Sequence, residues 1–265
     1  MTDNKGVYQS WIIVFLVLGV IVSLQGCSHK THKKQDTDNH VEIPSPLAGT
    51  NKVYDVRINV LLNNVGGAHI QEIWDMSLTN GTEVYLGRAD MGDIQIRDLT
   101  VFDESGSTYL TDSSWDVNRS LSEKKGHCGL NAIPRGYEIC WGIGEYGRHT
   151  YTISYQLTNL VKGLEDYDMI DYTFFSPNDF NADHVKITVE KTGFTIDAGT
   201  GLWGFGYDGY YGRENGKAVF ESESMLTGDH LINVLMRFDK GIFEPQSKRE
   251  GTFQDVLDRE LQKVG

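Results

Sequence analysis

From Lys52 onward, apolar and polar residues alternate with a period of two. Tyr54, Val56, Ile58 and Val60 alternate with Asp55, Arg57 and Asn59. That spacing predicts a half-buried strand. Asn63-Asn64-Val65-Gly66-Gly67 supplies a turn, after which Ile70, Glu72, Trp74, Met76 and Leu78 share one face of a second strand. Asn80-Gly81 turns the chain again. Further strands are predicted at Ile94–Phe102, Tyr137–Ile143, Thr150–Leu157, Met169–Phe175, Val185–Glu190, Lys217–Glu221 and Leu231–Phe238. Tyr151, Ile153, Tyr155 and Leu157 alternate cleanly, as do Val185, Ile187 and Val189. Strands separated by turns, without intervening helical patterns, predict an all-β fold: an Ig-like antiparallel β-sandwich over residues 51–245.

Two segments depart from that rhythm. Near the end, Phe253, Val256, Leu257 and Leu261 fall at helical spacing, with Thr252 placed to cap and Asp255 three residues later. Residues 246–265 are therefore expected to hold a short amphipathic helix docked on the sandwich. At the start, Trp11–Leu24 is an unbroken run of 14 apolar or small residues. A bilayer span needs about 20 helical residues, whereas an export signal needs fewer. The run ends in Leu24-Gln25-Gly26-Cys27, which resembles the lipobox of bacterial lipoproteins. Residues 1–26 are thus expected to be a cleaved signal peptide, with Cys27 carrying lipid; an uncleaved signal anchor is the alternative, since Lys5 and Asp3 leave the start weakly charged. Acyl chains contribute about 0.8 kcal/mol per buried methylene, so two hold a protein stably on a membrane. Residues 27–50 are polar and aperiodic, with Lys30, Lys33, Lys34, Pro44 and Pro46, and read as a tether. The expected location is the extracytoplasmic face of the cell membrane.

Composition narrows the choice of partner. The net charge of −13 opposes binding to nucleic acid. Of three cysteines, Cys27 is assigned to lipid, leaving Cys128 and Cys140. Outside the cytoplasm such a remainder predicts a disulfide across the base of a hairpin, stabilising by about 3 kcal/mol in the chain-entropy model. Their spacing does not suit a zinc site.

Other candidate chemistry is sparse. Gly204-Phe205-Gly206-Tyr207-Asp208-Gly209 satisfies G-x-G-x-x-G, but Tyr210-Tyr211-Gly212 follows where a dinucleotide site needs a helix. A Gly-rich hairpin is the better reading. Trp203, Tyr207, Tyr210 and Tyr211 are the candidates for stacking against sugar rings, with core packing as the alternative. Asn178, Asp179, Asn181 and Asp183 form an oxygen-rich loop without the Asp-x-Asp-x-Asp-Gly calcium pattern. Asp166, Asp168 and Asp171 are expected at a strand entrance facing water. No G-x-S-x-G, H-E-x-x-H or Walker sequence occurs. No catalytic residue, metal site or cofactor is predicted.

Several segments in fixed order resemble a known family. They are the strand around Glu72, His149-Thr150-Tyr151-Thr152-Ile153-Ser154-Tyr155, Asp168-Met169-Ile170-Asp171-Tyr172, and Gly204 to Gly209. Together they resemble the extracellular N-terminal domain of bacterial predicted membrane proteins carrying domain of unknown function 2207. Cys128 and Cys140, with Gly129 and Trp141, resemble Gram-positive members. The resemblance runs from about Tyr54 to Phe243. It implies an outward-facing Ig-like β domain tethered to a membrane, and supplies no catalytic residue. Members of that family continue into a transmembrane helix, so the chain is expected to be a shortened member or a fragment of one. The function expected is an interaction or structural module whose partner is a protein or a cell-wall glycan; a glycan-binding module built around Trp203 is the alternative.

Overall fold

The structure, a computed structural model, describes residues 50–177, 180–228 and 230–263. The expected signal peptide, Cys27 and nearly all of the tether lie outside them, as do Asn178 and Asp179. Among the described residues no helix is long and apolar enough to cross a membrane.

The chain runs through β1 (Lys52–Leu62), β2 (Ala68–Leu78), β3 (Glu83–Arg88), β4 (Ile96–Phe102) and β5 (Leu110–Thr111) to a single helical turn, α1 (Leu121–Lys124). It continues through β6 (His127–Ile133), β7 (Gly136–Gly142), β8 (Gly147–Leu157), β9 (Lys162–Gly163), β10 (Asp168–Phe175) and β11 (Val185–Lys191). The last elements are β12 (Gly201–Phe205), β13 (Gly209–Glu214), β14 (Lys217–Ser222), β15 (Ile232–Phe238), β16 (Ser247–Lys248) and α2 (Phe253–Lys263).

Three sheets form. One has seven strands in the order β13-β14-β11-β1-β2-β8-β4, one has five in the order β12-β15-β10-β9-β16, and one has four in the order β3-β7-β6-β5. The inward residues of β1, Val56, Ile58, Val60 and Leu62, are all buried, while Arg57, Asn59 and Leu61 stay exposed. That alternation is how one face of a sheet meets a core and the other meets water. The same inner face is covered by both smaller sheets. Trp74 of β2 stacks on Phe175 of the five-stranded sheet at 5.8 Å, and Tyr151 of β8 packs on Trp141 of the four-stranded sheet at 5.4 Å. The outer face carries half-buried or exposed residues on its central strands, including Asn59, Gln71, Ser154 and Thr188.

The all-β reading holds, but the pairing is mixed. β1 pairs β11 in parallel, as β5 pairs β6 and β9 pairs β16. Gly204–Gly209 does not form a hairpin. Gly206, at φ +84°, turns the chain, yet β12 joins the five-stranded sheet and β13 the seven-stranded one.

α2 docks as expected. Phe253 and Val256 bury against Leu164, Met169 and Leu235 on the outside of the five-stranded sheet. Thr252 and Asp255 cap reciprocally: the Thr252 amide donates to Asp255 Oδ2 at 2.8 Å, and the Asp255 amide to Thr252 Oγ1 at 3.3 Å. Asp166 caps the same end by accepting from the Phe253 amide at 2.9 Å.

The expected Cys128–Cys140 disulfide is corrected: both cysteines are free and buried. The hairpin β6–β7 is present, turning at Arg135 with φ +65°, but its register opposes Cys128 to Trp141 and Gly129 to Cys140. Side chains alternate faces along each strand. Cys128 therefore shares a face with Trp141, and Cys140 points to the other. Asp168 is corrected too. It faces inward, and Lys240 reaches its Oδ1 at 2.9 Å.

Candidate functional site

A buried polar cluster lies where the three sheets meet. Glu72 continues the apolar inner row Ile70–Trp74–Met76 of β2, so the strand's own alternation carries its carboxylate into the core. Arg88, the last residue of β3, enters from the four-stranded sheet. Glu72 is 0% exposed and Arg88 5%. Arg88 Nη2 donates to Glu72 Oε1 at 2.6 Å, and Trp74 Nε1 donates to Glu72 Oε2 at 2.9 Å. The Tyr155 hydroxyl of β8 also donates to Oε1, and Arg88 Nη1 reaches its neighbour's carbonyl, Gly87 O, at 3.1 Å. Tyr172 of the five-stranded sheet stands close enough for its electrostatics to be felt.

Charges at such depth persist only when paired. Burial disfavours the Arg88 cation, but the Glu72 charge, Tyr155, Tyr172 and the hydrogen bond to Glu72 together outweigh it, and its pKa is raised. Burial first, and then the Glu72 charge, hold the Tyr155 hydroxyl well above its ordinary pKa. Burial likewise pushes Tyr172 up to about 12. Both tyrosines are therefore neutral at any physiological pH, and Tyr155 is the one that donates. Arg88 Nε and the Tyr172 hydroxyl have no partner among the described residues.

A second buried pair sits nearer the four-stranded sheet. Lys124 is 1% exposed, and its ammonium donates to Val117 O at 2.7 Å, Thr82 Oγ1 at 2.9 Å and Glu83 Oε1 at 3.0 Å. The Trp115 indole donates to the other Glu83 oxygen. Neither Glu72–Arg88 nor Lys124–Glu83 was foreseen as a pair, although Glu72's place in an apolar row was a visible signal.

The aromatic candidates do not converge. Trp203 packs on Phe253 of α2 at 5.1 Å. Tyr207 lies over Gly204 and donates to Tyr210 O at 3.1 Å. Tyr210 folds across Gly212, while Tyr211 stacks on Phe220 at 6.2 Å. Tyr210 and Tyr211 are 43% and 41% exposed, but consecutive strand residues point to opposite faces. A single flat sugar-stacking platform is not assembled.

The histidines hold local partners. His127 meets Asp112 at 3.0 Å, His149 meets Glu104 at 2.8 Å, and His230 meets Thr227 O at 2.7 Å. Burial raises the thiol pKa of Cys128, and that of Cys140 to about 12, so neither is an activated nucleophile. Among the described residues no group of His, Cys, Asp and Glu is placed to hold a metal ion. An open groove of about 600 Å³ is lined mainly by Asn63, Gln95, Arg97, Gln156, Asn159 and Gln246. Asp93 and Thr158 also line it, and the Asp93 carboxylate is held by Lys162 and Asn159.

The family described as predicted membrane protein (DUF2207), N-terminal domain, matches residues 5–217. The chain belongs to this family. The DUF2207 match takes in both buried ion pairs and most of the three-sheet fold. No curated protein matches the sequence. Among solved structures, the chain is similar to leukotriene A4 hydrolase from Saccharomyces cerevisiae, at 10% identity and a TM-score of 0.43, covering 71% of this chain and 29% of that one. It is similar to a candidate nutrient-binding protein from Legionella pneumophila, at 8% identity and a TM-score of 0.43, covering 70% and 66%. A candidate protease from Parabacteroides distasonis matches at 10% identity and a TM-score of 0.37, covering 72% and 40%. The DUF2207 chain thus spans under a third of the yeast hydrolase. At these TM-scores the likenesses carry no functional argument.

Proposed function

We propose that this DUF2207 chain is a lipid-anchored, extracytoplasmic structural or interaction module built on an Ig-like sandwich, and that it is not an enzyme. The observation that carries this reading is the use made of its buried charges. Glu72–Arg88 and Lys124–Glu83 are spent on joining elements to one another, and none of the four residues lines the open grooves beside His69, Lys240 or Gln95. The polar outer face of the seven-stranded sheet and the loops are left for a partner. That partner is a protein or a cell-wall glycan. The lipid on Cys27 supplies the membrane attachment, and the polar residues after it set the reach. The scattered aromatics around Trp203 weigh against the glycan-binding alternative.

Mass spectrometry of the mature N-terminus tests this directly. A first residue of Cys27 carrying acyl mass supports it, and Cys27→Ala then releases the protein from the membrane fraction. An uncut chain beginning at Met1, or one shielded from protease added to intact cells, overturns it.

A further inference from the structure

His184 stands just before β11, on the uncovered outer face of the seven-stranded sheet. Its Nδ1 lies 2.6 Å from Asp55 Oδ1 of β1, and its Nε2 lies 3.0 Å from Glu221 Oε1 of β14. A carboxylate only accepts hydrogen bonds, so both ring nitrogens must carry hydrogen to satisfy both contacts. The neutral ring carries one. The geometry therefore selects the imidazolium, which links three adjacent strands.

The location gives that link a consequence. His184 O accepts from the Val56 amide at 3.0 Å, and the Asp183 amide donates to Val53 O at 3.0 Å. Lys52 pairs with Asp183 at 2.8 Å. Residues 182–185 thus fasten the beginning of β1, where the N-terminal segment enters the fold. Every charged group around the ring has a counterpart. On β1, Arg57 holds Asp55 at 3.0 Å. On β11, Lys186 holds Glu221 at 3.0 Å and Glu214 of β13 at 3.7 Å. On β2, Asp75 opposes Asp55 and is held by Arg148 of β8 at 2.7 Å. Around the ring itself, the cations His184, Arg57 and Lys186 meet the carboxylates Asp55, Glu221 and Glu214. Loss of the His184 proton leaves one carboxylate in excess.

We propose that protonation of His184 fastens the start of β1 to β11 and β14, and that this end of the seven-stranded sheet loosens as the imidazole loses its proton. The ring's acid–base behaviour agrees with the geometry: partial burial works against the charge, but Asp55 and then Glu221 outweigh it and raise the pKa. A raised pKa means the added stability is complete below the ordinary histidine value of about 6.5. It is lost as pH rises through the higher folded value. This holds whether or not the domain is lipid-anchored.

The test is an NMR titration of the His184 ring in the full chain, with amide hydrogen exchange at Val56 and Asp183 followed over the same pH range. The resonance is assigned with His184→Gln. The expected midpoint lies above about 6.5, and exchange protection, corrected for intrinsic rate, falls about tenfold for each unit by which it does. In H184Q that fall disappears. A midpoint at or below the ordinary value overturns the proposal, as does an H184Q chain whose seam amides keep the wild-type pH dependence. Should H184Q not fold, the wild-type midpoint decides, and Asp55→Asn must lower it.

Discussion

The Glu72–Arg88 pair and the His184–Asp55–Glu221 link lie on opposite faces of the same seven-stranded sheet. Each joins acid to base at 2.6 Å in its shortest contact. Their surroundings differ: the inner pair is sealed between three sheets, while the His184 side chain is 38% exposed. Water and salt weaken the outer link and leave the inner one almost untouched. Removing one partner of the inner pair is therefore costly at any salt concentration, whereas the outer link is adjustable. Depth decides which role the same chemistry takes.

Breaking the inner pair is the most severe test of that contrast. Arg88→Met strands the Glu72 carboxylate, and chemical denaturation should show a loss of about 3–5 kcal/mol. Replacing both partners together, as E72L with R88M, should recover only part of the loss: an apolar pair needs no counter-charge, but Trp74 Nε1 and the Tyr155 hydroxyl then lack their acceptor. If R88M alone is neutral, the inner cluster is no keystone. A subtler cut is Trp74→Phe, which removes one donor to Glu72 and should cost about 1–3 kcal/mol by thermal melting. Away from both faces, Thr252→Ala removes the cap of α2 and should cost about 1 kcal/mol, read as earlier loss of helical circular dichroism. At the shallow extreme, Tyr210→Ala should shift stability by no more than about 0.5 kcal/mol. A large loss there would show that exposure in the folded state is a poor guide to what this sheet edge contributes.

Much of the fold was legible in the alternation. The strands containing Val56, Ile70, Ile153, Ile170 and Ile187 carry it, and each formed where the pattern placed it; the Val234 strand formed from an apolar run buried on both faces. The strands that were missed lack it for identifiable reasons. β3 ends its inward row Val84–Leu86 with Arg88, so the pattern breaks at its most important residue. β6 holds Gly129 and Asn131, and β12 and β13 are rich in glycine. Glu72 was visible as a charge in an apolar row, but nothing local names a partner 16 residues away in an unrecognised strand. The cysteines failed for a different reason. Their separation in sequence fits a hairpin, but whether they meet depends on which residue opposes which, and a shift of one position reverses the facing.

β1 is the first strand of the described domain, yet it lies inside the sheet, with β2 along one side and β11 along the other. A pull on the chain ahead of Lys52 acts along the strand axis. The ladders to β2 and β11 are then strained in shear, many hydrogen bonds at once, rather than peeled apart one by one. A load directed along β1 from its Lys52 end would meet both ladders together.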